Sequence, residues 1–276
     1  MSTRTPVALP PRLSPSSITT WKQCPLLWKL RYVDKAPEPT STALARGIAA
    51  HEALEKIFDE PPLERDEAKL HDLFRAAWSA LRKEPRYEEL FAGDRKAERA
   101  WGLESLDTLS AYFELEDPAT LVSNPRAREL RLAATLSAGG DDDCVCEVVG
   151  VVDRLDVTPT GLRIVDYKTG AAPNVAKYAP ATQARILDEK FFQLRIYAML
   201  LARSRGELPR SLKLFYLGSC DAVVAPCDEA AVERTEVEVL DVFREMSGAA
   251  AEGCFNPKTG PLCGWCHFKE SCPAFA

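Results

Sequence analysis

Two carboxylates and a lysine on a predicted hairpin are the residues of this sequence best placed to do chemistry. Gly150-Val151-Val152-Asp153-Arg154-Leu155-Asp156 is followed by Ile164-Val165-Asp166-Tyr167-Lys168-Thr169-Gly170, and both runs alternate like strands. Side chains two apart in a strand point the same way, so Asp153 shares a face with Val149, Val151, Leu155 and Val157. Asp166 and Lys168 share one with Leu162 and Ile164. A carboxylate among buried aliphatics is disfavoured unless a cation or hydrogen bonds compensate it. Such a set suits a divalent metal. Hydrolysis of a phosphodiester needs a nucleophilic water, neutralised phosphate charge and a stabilised leaving oxygen, which magnesium or manganese on carboxylates can supply with a lysine nearby. The plainer alternative is a pair of carboxylates salt-bridged to Lys168 or to an arginine. Asp156 falls on the opposite face beside Arg154, where a surface ion pair is expected.

The elements that must position these residues follow from periodicity. Residues 1–12 are rich in Pro and Thr and read as disordered. Ser14-Pro15-Ser16-Ser17 signals a helix start for a segment running past Pro25 to about Val33, and Pro37 and Pro39 mark a loop. Helical spacing returns over 42–58, 66–82 and 95–115. From about residue 126 the pattern changes to strands at 127–136, 144–157 and 162–167, with a turn over 139–143 and the Thr158-Pro159-Thr160-Gly161 connection. An apolar helix over 186–203, strands at 212–217 and 222–225, and a helix over 229–246 complete the chain. This order predicts an α/β fold, a mixed sheet flanked by helices, with a helical N-terminal section over 13–125, a core over 126–276, and one integrated domain from 13 to 276.

Further polar residues fall in telling places. Gln193 and Tyr197 are four apart on the apolar helix and share a face, either as a buried polar pair or as part of a site. His51 shares a stripe with Leu44, Ile48, Leu54 and Phe58, the setting of a core histidine when taken alone, and His71 reads as a surface residue. Cys263, Cys266 and Cys272 form a compact loop of thiols, one short of the four that a structural zinc or an iron-sulfur cluster takes.

Together the hairpin motifs resemble the active-site hairpin of the PD-(D/E)XK nuclease superfamily in its RecB-like branch, which includes RecB, AddB and the cluster-bearing CRISPR-associated nucleases. The resemblance implies a restriction-endonuclease-like core. It implies that Asp153, Asp166, the carbonyl of Tyr167 and, through Gly47-Ile48-Ala49-Ala50-His51, His51 hold Mg2+ or Mn2+. Lys168 would act beside them, and Gln193 and Tyr197 would match the Gln-x-x-x-Tyr element that contacts the substrate strand. Glu129 and Glu55 are additional acidic candidates. Cys24, in a Cys-Pro step, would join Cys263, Cys266 and Cys272 around a 4Fe-4S cluster; structural Zn2+, with His267 replacing one thiol, is the alternative. Cys144, Cys146, Cys220, Cys227 and Cys254 read as buried or incidental thiols.

The implied activity is a metal-dependent deoxyribonuclease, a RecB-like exonuclease of DNA repair or recombination, acting on single-stranded or end-bearing duplex DNA, with a helicase or repair protein as partner. The alternative is a catalytically silent DNA-end-binding or helicase-partner module. Lys22, Lys29, Arg31 and Arg46 are candidate phosphate contacts, with Trp21 and Trp28 available for stacking.

Composition limits the other classes. A net charge of -6 argues against bulk electrostatic coating of nucleic acid, and the acidic stretch over 228–252 reads as a solvated helix face. No run approaches the roughly 20 apolar residues of a membrane helix, and residues 1–11 carry no secretory signal, so a cytoplasmic protein is expected. Nine cysteines are many for a reducing compartment, which favours metal ligation for some. There is no phosphate-loop motif for a nucleotide-driven motor, and three histidines with no paired nucleophile motif leave a triad hydrolase without support.

Overall fold

The computed structural model describes residues 5–122, 127–137 and 145–275; the predicted turn over 139–143 and Cys144 lie outside the described residues. Strand β1 (Arg12–Leu13) leads into α1 (Pro15–Gln23), capped by Ser14, whose Oγ accepts from the Ser17 amide at 3.2 Å. Pro25 has no amide hydrogen to continue that helix, so the chain restarts as α2 (Pro25–Trp28) and a π-helical turn over Lys29–Val33. Helices α3 (Thr42–Lys56), α4 (Glu67–Leu81) and α6 (Arg95–Leu115) take side-chain caps from Ser41, Asp66 and Asp94, with the short α5 (Pro85–Glu88) between the last two.

Strands β2 (Arg128–Ser137), β3 (Val145–Thr158) and β4 (Gly161–Lys168) follow, then α7 (Pro180–Arg205), β5 (Ser211–Tyr216), β6 (Asp221–Pro226) and α8 (Glu229–Glu252). Helix α7 starts earlier than its apolar stripe, because Pro180 suits the first helical turn, and Gly206 ends it in the left-handed region.

The strands form one mixed six-stranded sheet, in which β3 pairs antiparallel with β2 and β4, β4 pairs parallel with β5, and β5 pairs antiparallel with β6. Pairing with β2 occupies one edge of β3 from Val145 to Arg154. The other edge carries β1, in parallel at Glu147 and Val148, and β4 only from Arg154 onward. Val149–Asp153 therefore have no strand on that edge among the described residues.

Two cores cover the sheet. Ile164 of β4 and Leu212, Leu214 and Tyr216 of β5 join Trp28, Phe192, Leu194 and Met246 on one face, while Val165, Tyr167 and Phe215 join Phe58, Phe74, Trp101 and Tyr112 on the other. Alternation along β4 and β5 thus feeds both layers, the arrangement expected of strands buried on both sides. Val7 and Leu9, in the stretch expected to be disordered, pack against the first core, and the Val7 amide donates to Ala250 O at 2.9 Å. Their apolar side chains gain a surface to cover there, which composition alone does not show. No helix among the described residues is long and apolar enough to cross a membrane.

Candidate active site

The site lies where β4 parts from β3. Ladder pairing stops at Arg154 and Val165, and beyond it the Asp153 side chain replaces the backbone partner: its Oδ2 accepts from the Tyr167 amide at 2.9 Å. His51 of α3 closes the arrangement, with Nε2 donating to the Tyr167 carbonyl at 2.8 Å and Nδ1 standing 3.3 Å from Asp153 Oδ2. Both ring nitrogens thus face acceptors. Burial disfavours the charged imidazole, but the hydrogen bond and charge of Asp153, with Asp166 behind it, prevail and hold His51 up at about 9.

Asp166 is 1% exposed on the opposite side of β4 from Tyr167. Neither of its oxygens has an aligned hydrogen-bond donor among the described residues, although Lys168 Nζ stands 2.7 Å from Oδ2. Burial and the charge of Asp153 raise Asp166 to about 6, against the pull of Lys168. Lys168 donates to Gln193 Oε1 at 2.9 Å, and Gln193 Nε2 donates to Tyr197 Oη at 2.7 Å, so the helix α7 pair is hydrogen-bonded in series with Lys168. Burial pushes the Tyr197 phenol well above its usual range.

Glu129 comes from β2. One ligand atom each from His51, Glu129 and Asp153 lie within 4.8 Å of one another, the one such His/Cys/Asp/Glu group among the described residues. Glu129 holds a positive φ of 44°, a strained conformation for a residue with a Cβ. That kink lets Arg128 reach Asp59 at 2.6 Å on the α3 side while Leu130 enters the first core. Burial, then the charges of Asp153 and Glu55, raise Glu129 to about 7. A cavity of about 550 Å³ opens over the group, lined by Gly47, Ile48, Glu52 and Glu55 among others, and Gly47 leaves open space where a Cβ would stand.

A family model, the PD-(D/E)XK nuclease superfamily, matches residues 12–273. The chain belongs to the PD-(D/E)XK nuclease superfamily. It is 27% identical over 290 residues to the Gene 69 protein of Mycobacterium phage D29, covering 98% of this chain and 99% of that one. The Gene 69 protein of Mycobacterium phage L5 is 26% identical over 310 residues, covering 99% of each. A candidate exonuclease from Eubacterium rectale, solved by crystallography, shares the fold, with a TM-score of 0.50 at 12% identity over 95% of this chain and 88% of its own.

Membership makes the chain a nuclease, a hydrolase that binds and acts on nucleic acids, and PD-(D/E)XK nucleases use divalent metals. The donor set fits such an ion: a His/Glu/Asp group within reach of one centre, and a buried carboxylate, Asp166, with no aligned hydrogen bond and Lys168 beside Oδ2. Two carboxylates beside one imidazole are donors that divalent ions accept.

In this PD-(D/E)XK protein, several expectations need correction. Asp153 does not share the buried face of β3. Cys146, Val148 and Val152 point into the first core, whereas Val149 and Val151 are half-buried and Val157 is 85% exposed. Strict alternation also fails after Val152, because Arg154 reaches the second layer and lies over the rings of Phe58 and Tyr167. Asp156 does pair with Arg154, at 2.9 Å, but in the interior: Arg154 is 1% exposed and is also held by Glu116 at 2.8 Å and Tyr167 Oη at 2.6 Å. Glu116 and Tyr112 carried no sequence signal, since the contact joins the end of α6 to a strand distant along the chain.

Trp21 and Trp28 are buried in the first core and offer no face for stacking. The four proposed phosphate cations are already engaged, Lys22 by Glu238, Lys29 by Asp34, Arg31 by Glu38 and Arg46 by Glu104. His71 is half-buried rather than at the surface, with Nε2 3.0 Å from Ser110 Oγ and 3.1 Å from Leu106 O.

The four distant cysteines come together. Cys24, Cys263, Cys266 and Cys272 line one cavity of about 310 Å³, where the Lys258 amide donates to Cys24 Sγ and the Gly260 amide to Cys263 Sγ, each at 3.4 Å. His267 is exposed, lies edge-on to Phe268 and does not line this cavity. Cys146 and Cys227 are buried, Cys254 is half-buried and Cys220 is exposed.

Proposed function

We propose that the protein is a Mg2+- or Mn2+-dependent deoxyribonuclease of the RecB-like branch, acting on single-stranded or end-bearing duplex DNA in cytoplasmic repair or recombination beside a helicase. The observation that carries the reading is the convergence of His51, Glu129 and Asp153 on one point next to the buried carboxylate of Asp166, whose one close cation is Lys168. His51, Glu129, Asp153, Asp166 and the Tyr167 carbonyl would hold the ion, which when bound activates water and neutralises the phosphate. Lys168, held by Gln193, is positioned to orient that water or to meet charge developing on the phosphate. Gln193 and Tyr197 fix the lysine and present amide and phenol to the strand. The feeding of both cores by β4 and β5 supports a single working domain over 13–276.

For the four cysteines we read a 4Fe-4S cluster. Four thiolates are what such a cluster takes, and structural zinc on the same thiols is the alternative. The shared cavity and the amide donors to Cys24 and Cys263 suit a larger thiolate-ligated group.

The nuclease reading is tested by cleavage of single-stranded and end-bearing duplex DNA with manganese, comparing the wild type with Asp166→Ala and Lys168→Ala. Loss of cleavage in both variants is expected, and equal cleavage by all three removes the assigned site. Tight strand binding without turnover by the wild type would make the protein a binding module instead.

A further inference from the structure

The gap in the sheet leads away from the metal site to a second set of polar residues. On the edge of β3 left open between β1 and β4, Gly150 is overlain by Tyr197, and a Cβ there would stand 2.8 Å from the ring Cε1. A cavity of about 520 Å³ opens here, floored by Val149, Gly150 and Val151 and walled by Gln193 and Tyr197 on one side and Arg131, Arg12 and Ser14 on others. Strand register orders these groups. Arg131 of β2 pairs opposite Val151, two residues along from Asp153, and Arg12 of β1 pairs opposite Glu147, four residues further. One two-residue step is roughly 6.8 Å along a strand, so Arg131 stands one such step in register from Asp153, on the far side of the cavity from the Lys168–Gln193 pair.

The state of Arg131 also bears on its role. It is exposed and makes no ion pair among the described residues, although it stands two residues from Glu129 on a chain of net charge -6. Arg12, by contrast, meets Glu147 at 3.0 Å, with both side chains accessible. An exposed guanidinium with no carboxylate in contact, whose charge is felt by Glu129, beside a cavity that already holds amide and phenol groups is suited to bidentate contact with a phosphate.

We propose that Arg131 is a positioning residue that takes a backbone phosphate next to the scissile one, and that the strand runs over the Val149–Asp153 opening toward Arg12. This rests on the nuclease reading above for the identity of the scissile phosphate. The groove itself is tested by binding alone. Arg131 reads no base here, so its contribution is independent of sequence and sensitive to salt.

The test compares wild type, Arg131→Ala and Arg131→Lys by fluorescence anisotropy with labelled oligothymidine in EDTA, over a series of salt concentrations, and by steady-state cleavage with manganese. Arg131→Ala is expected to weaken binding about tenfold and to lower the slope of log affinity against log salt by about 0.7, the value for one contact to a single strand. Arg131→Lys should keep that slope while binding more weakly than wild type. In cleavage, KM should rise with kcat held. Wild-type affinity and slope in Arg131→Ala would overturn the proposal, as would a loss of kcat with KM and binding unchanged, because the arginine would then act on the carboxylate group and not on the strand. Loss of the slope in Arg131→Lys would also overturn it. The binding arm needs no turnover, so its outcome is separate from failure of the Asp166 and Lys168 variants to lose cleavage.

Discussion

Tyr197 lies so close over Gly150 that a Cβ on the glycine would stand 2.8 Å from Cε1 and 2.9 Å from Cδ1 of the ring. The glycine therefore sets how near α7 comes to β3, and with it the place of the Lys168–Gln193–Tyr197 series. Gly150→Ala is expected to cost about 1 to 3 kcal/mol of stability through overpacking and to lower kcat/KM by displacing Gln193. Urea denaturation and steady-state cleavage measure the two effects, and unchanged values in both would contradict the close approach.

Removing the buried cation of Arg154 leaves Asp156 without its partner and Glu116 with only Lys213, 3.4 Å away. Arg154→Met should destabilise by about 3 to 5 kcal/mol, and adding Glu116→Gln should return part of the loss. Denaturant midpoints of the two single variants and the double variant supply the cycle; additive losses would mean that the pair is not coupled.

The metal-free protein should lose stability as pH rises. Burial and the charge of Asp153 lift Asp166 from 3.8 to about 6 and Glu129 from 4.5 to about 7, while Asp153 overcomes burial to lift His51 from 6.5 to about 9. Groups that hold protons more firmly when folded contribute fully below their unfolded values, and the contribution disappears as pH passes the folded ones. These carboxylates and the imidazole interact, so the loss spreads over the span from about 4 to about 9. Melting in EDTA from pH 5 to pH 9 should show the decline, His51→Gln should flatten its upper part, and magnesium should oppose it by binding the deprotonated group.

A sample purified without oxygen should be brown, with broad absorbance at roughly 400 nm. Cys24→Ser or Cys272→Ser should remove the colour and lower the melting temperature, since the thiols join segments far apart in the chain. Stoichiometric zinc in a colourless protein would overturn the cluster and leave the nuclease assignment standing.

Much of this was legible before the structure, and unevenly. Helix α6 appears over Arg95–Leu115 as its spacing predicts, because long periodic helices reveal themselves locally. The structure brings Asp153, Asp166 and Lys168 of the hairpin motif together, and of the residues expected to share a face with Asp153, Leu155 packs against the first core while Val157 is exposed. The neighbours of Asp153 alternate one way through Val152, and the kinked, splayed region at Glu129 and Asp153 breaks the period that such reasoning assumes. Glu129 was visible only as an acidic residue on a strand; its approach to His51 depends on that kink. Arg154 with Glu116, and Arg131 beside the gap, depend on register and on contacts across distant segments, for which local spacing holds no signal.

Segments distant along the chain run side by side, through Val7 with Ala250, Lys258 Nζ with Lys22 O, and Lys258 N with Cys24. Order along the polypeptide and order in space are thereby decoupled at this corner. Loosening residues 7–24 would therefore also free residues 250–258, so the two segments should open as one unit.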